Sequence, residues 1–241
     1  MSLDHLALLR SDLDQFVDAI EHGPLDAPIA GCPGWVLADL GAHLGGVHRW
    51  VLAALATGAA PAAGTVPPAP AEPRRALAPW LREGSVALLE ALEALDPDAP
   101  TWHPFPVEPK RAGLWRRRQA QEASVHRWDA QRAIGMTPHI DAAIAEDGVD
   151  EYWTVMLSRM LLREQRRTPA TRLAITLTDT GGRWTIDGSS GLPVAGPGDA
   201  DAVLEGDAES MLLRLWGRPA GEIGVHGDAD VAAEWLALGG A

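Results

Sequence analysis

The hydrophobic pattern changes period once along this chain, and that change limits what it can fold into. From Leu6 to Leu161 the apolar residues recur at three and four, the repeat of an amphipathic helix. After Thr168-Pro169 the stretch "RLAITLTD" alternates Leu173, Ile175 and Leu177 with other residues, the repeat of a half-buried strand. A helical bundle followed by a small mixed unit is therefore expected. The boundary is placed at 167/168, with an N-terminal domain over 1–167 and a C-terminal α+β domain over 168–241.

Within the helical part, Leu6, Leu9, Leu13, Phe16, Val17 and Ile20 mark a first helix stopped by Gly23-Pro24. A second follows the turn "CPGW", with Leu40, His43, Leu44, Val47 and Val51 on one face. Gly45-Gly46 inside it lowers helix propensity, and small residues there would permit close approach of a neighbouring helix. Residues 57–73 are a Pro/Ala/Gly connection without periodicity. A third helix carries Leu77, Leu81, Leu88, Leu92 and Leu95. A fourth runs from about Leu114 to Ile134, with Gly135 suited to its C-terminal cap. A fifth begins near Asp141. Together these read as an antiparallel bundle. In the tail, "TGG" joins two strand patterns into a hairpin. "DAVLEG" and "EIGVHG" read as further strands, and "DAESMLLRLWG" and "DADVAAEWLALGG" as short helices, with "GPGDADA" as a loop.

The fourth helix carries the chemistry. "QEASVHRWDA", from Gln121 to Ala130, sets Glu122 and His126 about 40° apart on a helix turning ~100° per residue, with Asp129 on the same stripe. Trp115 and Ala133 extend this stripe with apolar ends. The wet face is expected on the other side, at Arg116, Arg117, Arg118, Arg127 and Gln131. His43 lies on the apolar face of the second helix and can face the Glu-x-x-x-His pair. Facing helices commonly build metal sites in bundles, and two histidines with one carboxylate leave a coordination position open for chemistry. On spacing alone, a His43/Glu122/His126 site competes with a satisfied core histidine and a solvated stripe. His48, five residues from His43, points elsewhere and reads as a flank or rim residue. His103, in "TWHPF", sits in a loop that can reach a pocket mouth.

Charge and composition exclude some functions. A formal net charge of −13 opposes nucleic acid and anionic membrane surfaces as partners. No apolar run reaches the roughly 18 residues of a membrane span, and the acidic start "MSLDHLALLRSDLD" lacks the features of a secretory signal. Cys32 is the only cysteine, reads as a packing residue, and fits a cytoplasmic setting. Nucleophile-elbow, P-loop and CxxC signatures are absent.

Four stretches, "CPGWVLADLGAHLGGVHRW", "RRRQAQEASVHRWDA", "AEDGVDE" and "VLEGDAESMLLRLWGRP…VHGDADV", together resemble the mycothiol-dependent maleylpyruvate isomerase family over nearly the whole chain. The resemblance implies a DinB-like four-helix bundle followed by a small α+β domain similar to sterol carrier proteins. It implies His43, Glu122 and His126 as ligands of a divalent metal, zinc first among the candidates. It also implies Asp129 as a supporting catalytic residue, Arg218 in "WGRP" as an anion-binding one, and mycothiol as the thiol cosubstrate. A thiolate would then add to a small electrophilic substrate, either in cis-trans isomerisation or in S-transfer, in a monomer or small homo-oligomer. The alternative is a metal-binding module without catalysis, serving a regulatory role.

Overall fold

In the computed structural model, which describes residues 3–219 and 221–239, the chain divides into two compact units. The first comprises residues 1–104 and 108–139, the second 105–107 and 140–241. Met1 and Ser2, at the head of the acidic N-terminal stretch, lie outside the described residues.

The first unit is built on four long helices: α1 (His5–His22), α2 (Leu37–Thr57), α3 (Pro73–Ala94) and α4 (Gly113–Ala133). Each begins or ends where local chemistry dictates. Asp4 caps α1, its carboxylate accepting from the backbone N–H groups of Leu6 and Ala7. Pro73 stands in the first turn of α3, where its missing N–H costs nothing. The "CPGW" turn before α2 needs Gly34 at φ +85°, a conformation that favours glycine. α1 packs on α3 and α4, and α2 packs on α3 and α4. Leu9, Leu13, Phe16, Leu40, Leu44, Leu81 and Leu88 fill the space between them, each at most 1% exposed. The second helix's paired glycines divide in role. A Cβ on Gly45 would overlap the Trp80 ring of α3, whereas one on Gly46 would meet nothing within 4 Å.

α4 is not the half-wet helix that its sequence suggests. Of the side expected to face water, Arg118, Arg127 and Gln131 are buried, and Arg116 and Arg117 are half-buried. α4 lies against both α1 and α2, so its polar groups must be paired internally. Arg127 forms an ion pair with Asp12 of α1 at 2.8 Å and donates to Gln131 and to the carbonyl of His139. Arg116 donates to the carbonyls of Leu92 and Leu95, capping the end of α3. Arginine tolerates this burial because its planar fork satisfies several acceptors at once.

The second unit contains α5 (Ala142–Glu151), which continues through a π-helical turn at Tyr152–Met156 into α6 (Leu157–Glu164). The compact division thus falls ahead of α5, whereas the period change in the sequence comes after α6. The reason is packing: α5 rests on α7 (Ala208–Leu215), an element of the tail. The sheet holds β1 (Arg172–Leu177), β2 (Arg183–Asp187), β3 (Val194–Ala195), β4 (Ala202–Gly206) and β5 (Gly224–Gly227) in the order β3-β2-β1-β4-β5. β1 and β2 form the expected antiparallel hairpin, with Leu173 opposite Ile186 and Ile175 opposite Trp184. β4 joins the other side of β1 in parallel. Leu173, Ile175, Leu177 and Leu204 are buried under α7 and α8 (Ala229–Leu236). Among the described residues no helix is long and apolar enough to cross a membrane.

Candidate metal centre

The helical register of α4 and the packing of α2 against it bring His43, Glu122 and His126 together. One ligand atom from each lies within 4.8 Å of the others. Glu122 Oε1 stands at the middle, 3.2 Å from His43 Nε2 and 3.4 Å from His126 Nε2. The two imidazole rings meet edge to face with centroids 5.1 Å apart. His43 is half-buried, and Glu122 keeps about a fifth of its side chain exposed (18%), so the cluster is reachable from solvent.

Each member is held from behind. His126 Nδ1 lies 3.2 Å from Asp129 Oδ2. A carboxylate can only accept, so Nδ1 carries the hydrogen and Nε2 is the nitrogen turned to Glu122. Arg118, one turn before Glu122, donates to Oε2 at 2.8 Å and leaves Oε1 to the cluster. Trp35, carried by the "CPGW" turn, packs its ring 5.2 Å from that of His43. Two of these supports escaped the sequence reading. Arg118 falls among the residues expected to face water, although its i,i+4 spacing to Glu122 is a usable signal. Trp35 had no signal beyond its place in the turn.

Electrostatics favour an ionised centre. Burial pushes Glu122 up, but hydrogen bonds from His126 and His43 and the nearby Arg118 charge outweigh it, and the carboxyl sits well below the usual range. Burial pushes His126 down, but its bonds to Asp129 and Glu122 overcome this and raise it. The cluster thus holds an anionic oxygen between two imidazole nitrogens, a donor set that suits zinc and several other divalent ions. Nothing in it suits a large soft cofactor.

The other candidates fall elsewhere. Asp129 is buried at 3% exposure and close to the cluster through His126. His48 is not a rim residue: it is 0% exposed, and neither ring nitrogen has a hydrogen-bond partner among the described residues. Burial holds its pKa down at about 3, with the Glu122 charge opposing, so it is a neutral core group. His103 does not reach a pocket mouth. It is 1% exposed and packs edge-on against Trp115, with ring centroids 6.4 Å apart. Arg218 belongs to the second unit, where it is buried beyond the end of α7 and donates to the carbonyl of Trp216 at 2.7 Å. Cys32 is buried.

Comparison with known proteins agrees with the bundle and its order of elements. A family model described as the mycothiol maleylpyruvate isomerase N-terminal domain matches residues 6–131, a span that includes His43, Glu122, His126 and Asp129. The crystal structure of a histidine-to-alanine mutant of the mycothiol-dependent maleylpyruvate isomerase is 15% identical, with a TM-score of 0.61 over 94% of this chain and 93% of that one. A second crystal structure of the mycothiol-dependent maleylpyruvate isomerase gives 14% and 0.58 over the same shares. At these identities the likeness is one of fold. No curated protein matches the sequence.

Proposed function

The chain belongs to the mycothiol maleylpyruvate isomerase family, and from that premise we propose that it is a metal-dependent enzyme that activates a thiol, mycothiol in the first instance, for addition to a small electrophile. The observation that carries the reading is the convergence of His43 Nε2, His126 Nε2 and Glu122 Oε1 on one point, with Asp129 and Arg118 fixing the unused atoms. These three residues would hold a divalent ion, zinc first among the candidates. Such an ion, when bound, favours the thiolate form of a thiol, which is the nucleophile.

The chain's own residues do the rest. Asp129 keeps the hydrogen of His126 on Nδ1, so Nε2 offers a lone pair to the centre. Arg118 neutralises one oxygen of Glu122 and restricts the carboxylate to one donor atom. The half-buried setting of His43 leaves an approach for substrate. In the isomerase reading, the thiolate adds to one carbon of a conjugated cis double bond, and the electron pair moves onto the carbonyl. The new single bond rotates, and expulsion of the thiolate restores the double bond as trans. In the transferase reading the thioether is retained. Family membership favours isomerisation. For Arg218, the reading is that its guanidinium binds an anionic group of the substrate.

The test is metal content followed by thiol-dependent turnover. Purified protein is expected to carry near-stoichiometric divalent metal, and His43→Ala to lose it; an empty wild type would end the metal reading. After cobalt replacement, a thiol should alter the visible spectrum, and an indifferent spectrum would end the thiol reading. Arg218→Gln is expected to raise KM for an anionic substrate at least tenfold with metal content intact.

A further inference from the structure

The second unit has a cavity of about 650 Å³ between the π-helical turn and the outer strands, lined by Trp153, Trp184, Ile186, Val194, Pro197 and Arg183 among others. Its size falls within the range of small-molecule sites, roughly 300–1,000 Å³. All of its walls come from this one unit.

Three features set it apart from a chance hollow. The first is a pair of stiff aromatic walls. Trp184 is fixed by its indole N–H, which donates to Asp150 at 3.0 Å. Trp153 is fixed by edge contacts to Tyr152 and Trp235, with centroids 5.0 and 5.8 Å away. The second is an unmatched donor: Trp153 Nε1–H is buried and has no acceptor among the described residues. Trp153 also sits inside the Tyr152–Met156 π turn, the kind of helix irregularity that recurs at functional sites. The third is charge. Arg183 is exposed and its guanidinium has no partner among the described residues, while the chain as a whole carries −13. By contrast, Arg172 one strand over is spoken for by Asp187 at 2.8 Å.

We propose that this cavity binds a small planar aromatic carboxylate, its ring lying against Trp153 and Trp184 and its carboxylate paired with Arg183. Flat rings match flat indole walls better than a flexible chain does, because offset stacking needs a rigid face on both sides. A guanidinium meets a carboxylate with two parallel N–H bonds, which sets the direction of the ligand. The site shares no residue with the His43, Glu122 and His126 cluster and does not depend on the function proposed for it.

The probe is 2-naphthoate, with the uncharged 2-naphthamide as its control, titrated into full-length protein carrying ¹⁵N-labelled tryptophan. Saturable one-to-one binding is expected, with a shift of the indole resonance that is missing from Trp153→Phe. Arg183→Gln, an exposed change, should weaken naphthoate at least fivefold and leave naphthamide unchanged. Ala195→Trp, on exposed β3, should fill the cavity and abolish both. His43→Ala should bind naphthoate as the wild type does. A shift that never saturates, an Arg183→Gln protein with wild-type affinity, or an Ala195→Trp protein that still binds would overturn the proposal. Loss of binding in His43→Ala would overturn the assignment to the second unit.

Discussion

Asp129 meets the candidate metal cluster at His126, and its worth there is in orientation. Asp129→Ala is expected to weaken divalent metal binding about 10–100-fold, the usual cost of losing a partner behind a ligating histidine, with the fold intact by circular dichroism. Glu122→Gln removes a charged donor and should weaken it by at least an order of magnitude; unchanged affinity would move Glu122 out of the ligand set. His48 makes the opposite point, that a histidine near such a cluster can be pure core. Its folded pKa is about 3 against an ordinary 6.5, because burial penalises the charged ring. The unfolded chain therefore binds the extra proton first as pH falls. Stability is fully present above about pH 6.5 and is lost progressively toward pH 3, by a few kcal/mol at most, at ~1.4 kcal/mol per unit. Urea melts of His48→Leu should show a flatter pH dependence across that window; an unchanged slope would mean that His48 is not the group responsible. Spacing alone made Glu122, His126 and Asp129 legible as one stripe. It could not tell His48 from a rim residue, because burial depends on what the other helices bring.

At the level of elements, α2 tests how a helix tolerates glycine. Gly45 lies against the Trp80 ring, over which the Arg49 guanidinium also sits at 3.8 Å. Gly46 faces open space. Gly45→Ala is expected to destabilise by up to about 2 kcal/mol, since overpacking costs about 1–3 and the propensity gain returns about 1. Gly46→Ala should stabilise by about 0.5–1 kcal/mol from propensity alone. Chemical denaturation of the two variants settles it, and equal effects would refute the close-packing account. The sequence signalled small residues but not which of the two was pressed. The same limit applies to α4. Its polar composition reads as a wet surface, and only its position against α1 and α2 turns Arg118 and Arg127 into paired interior groups. Strand β3, two residues long between Pro193 and Gly196, is too short to leave a periodic trace.

For the whole molecule, the His43, Glu122 and His126 cluster joins α2 to α4 within the first unit, so an ion bound there would add to the stability of that unit. At a free concentration about 100-fold above Kd, the contribution is ~2.7 kcal/mol. Stripping the metal with a chelator is therefore expected to lower the midpoint of the bundle's thermal transition by roughly 5–10 °C, reversed on adding the ion back. A chelated protein with an unshifted midpoint would mean that the cluster holds no ion in solution. The acidic balance of the chain argues in the same direction as the cluster, since both favour a cation.

Local sequence determined the helices and most of the strands, through hydrophobic period, caps such as Asp4 and Asp228, and glycines at stops such as Gly135 and Gly217. It also determined the stripe of Glu122, His126 and Asp129, because residues three and four apart on a helix share a face whatever surrounds it. Tertiary structure alone decided that His43 comes within 3.2 Å of Glu122, that β4 runs parallel to β1, and that α5 sides with the tail. Those outcomes depend on contacts between residues far apart in the chain. Their energy comes from burying faces against one another, and no local window of sequence contains both faces.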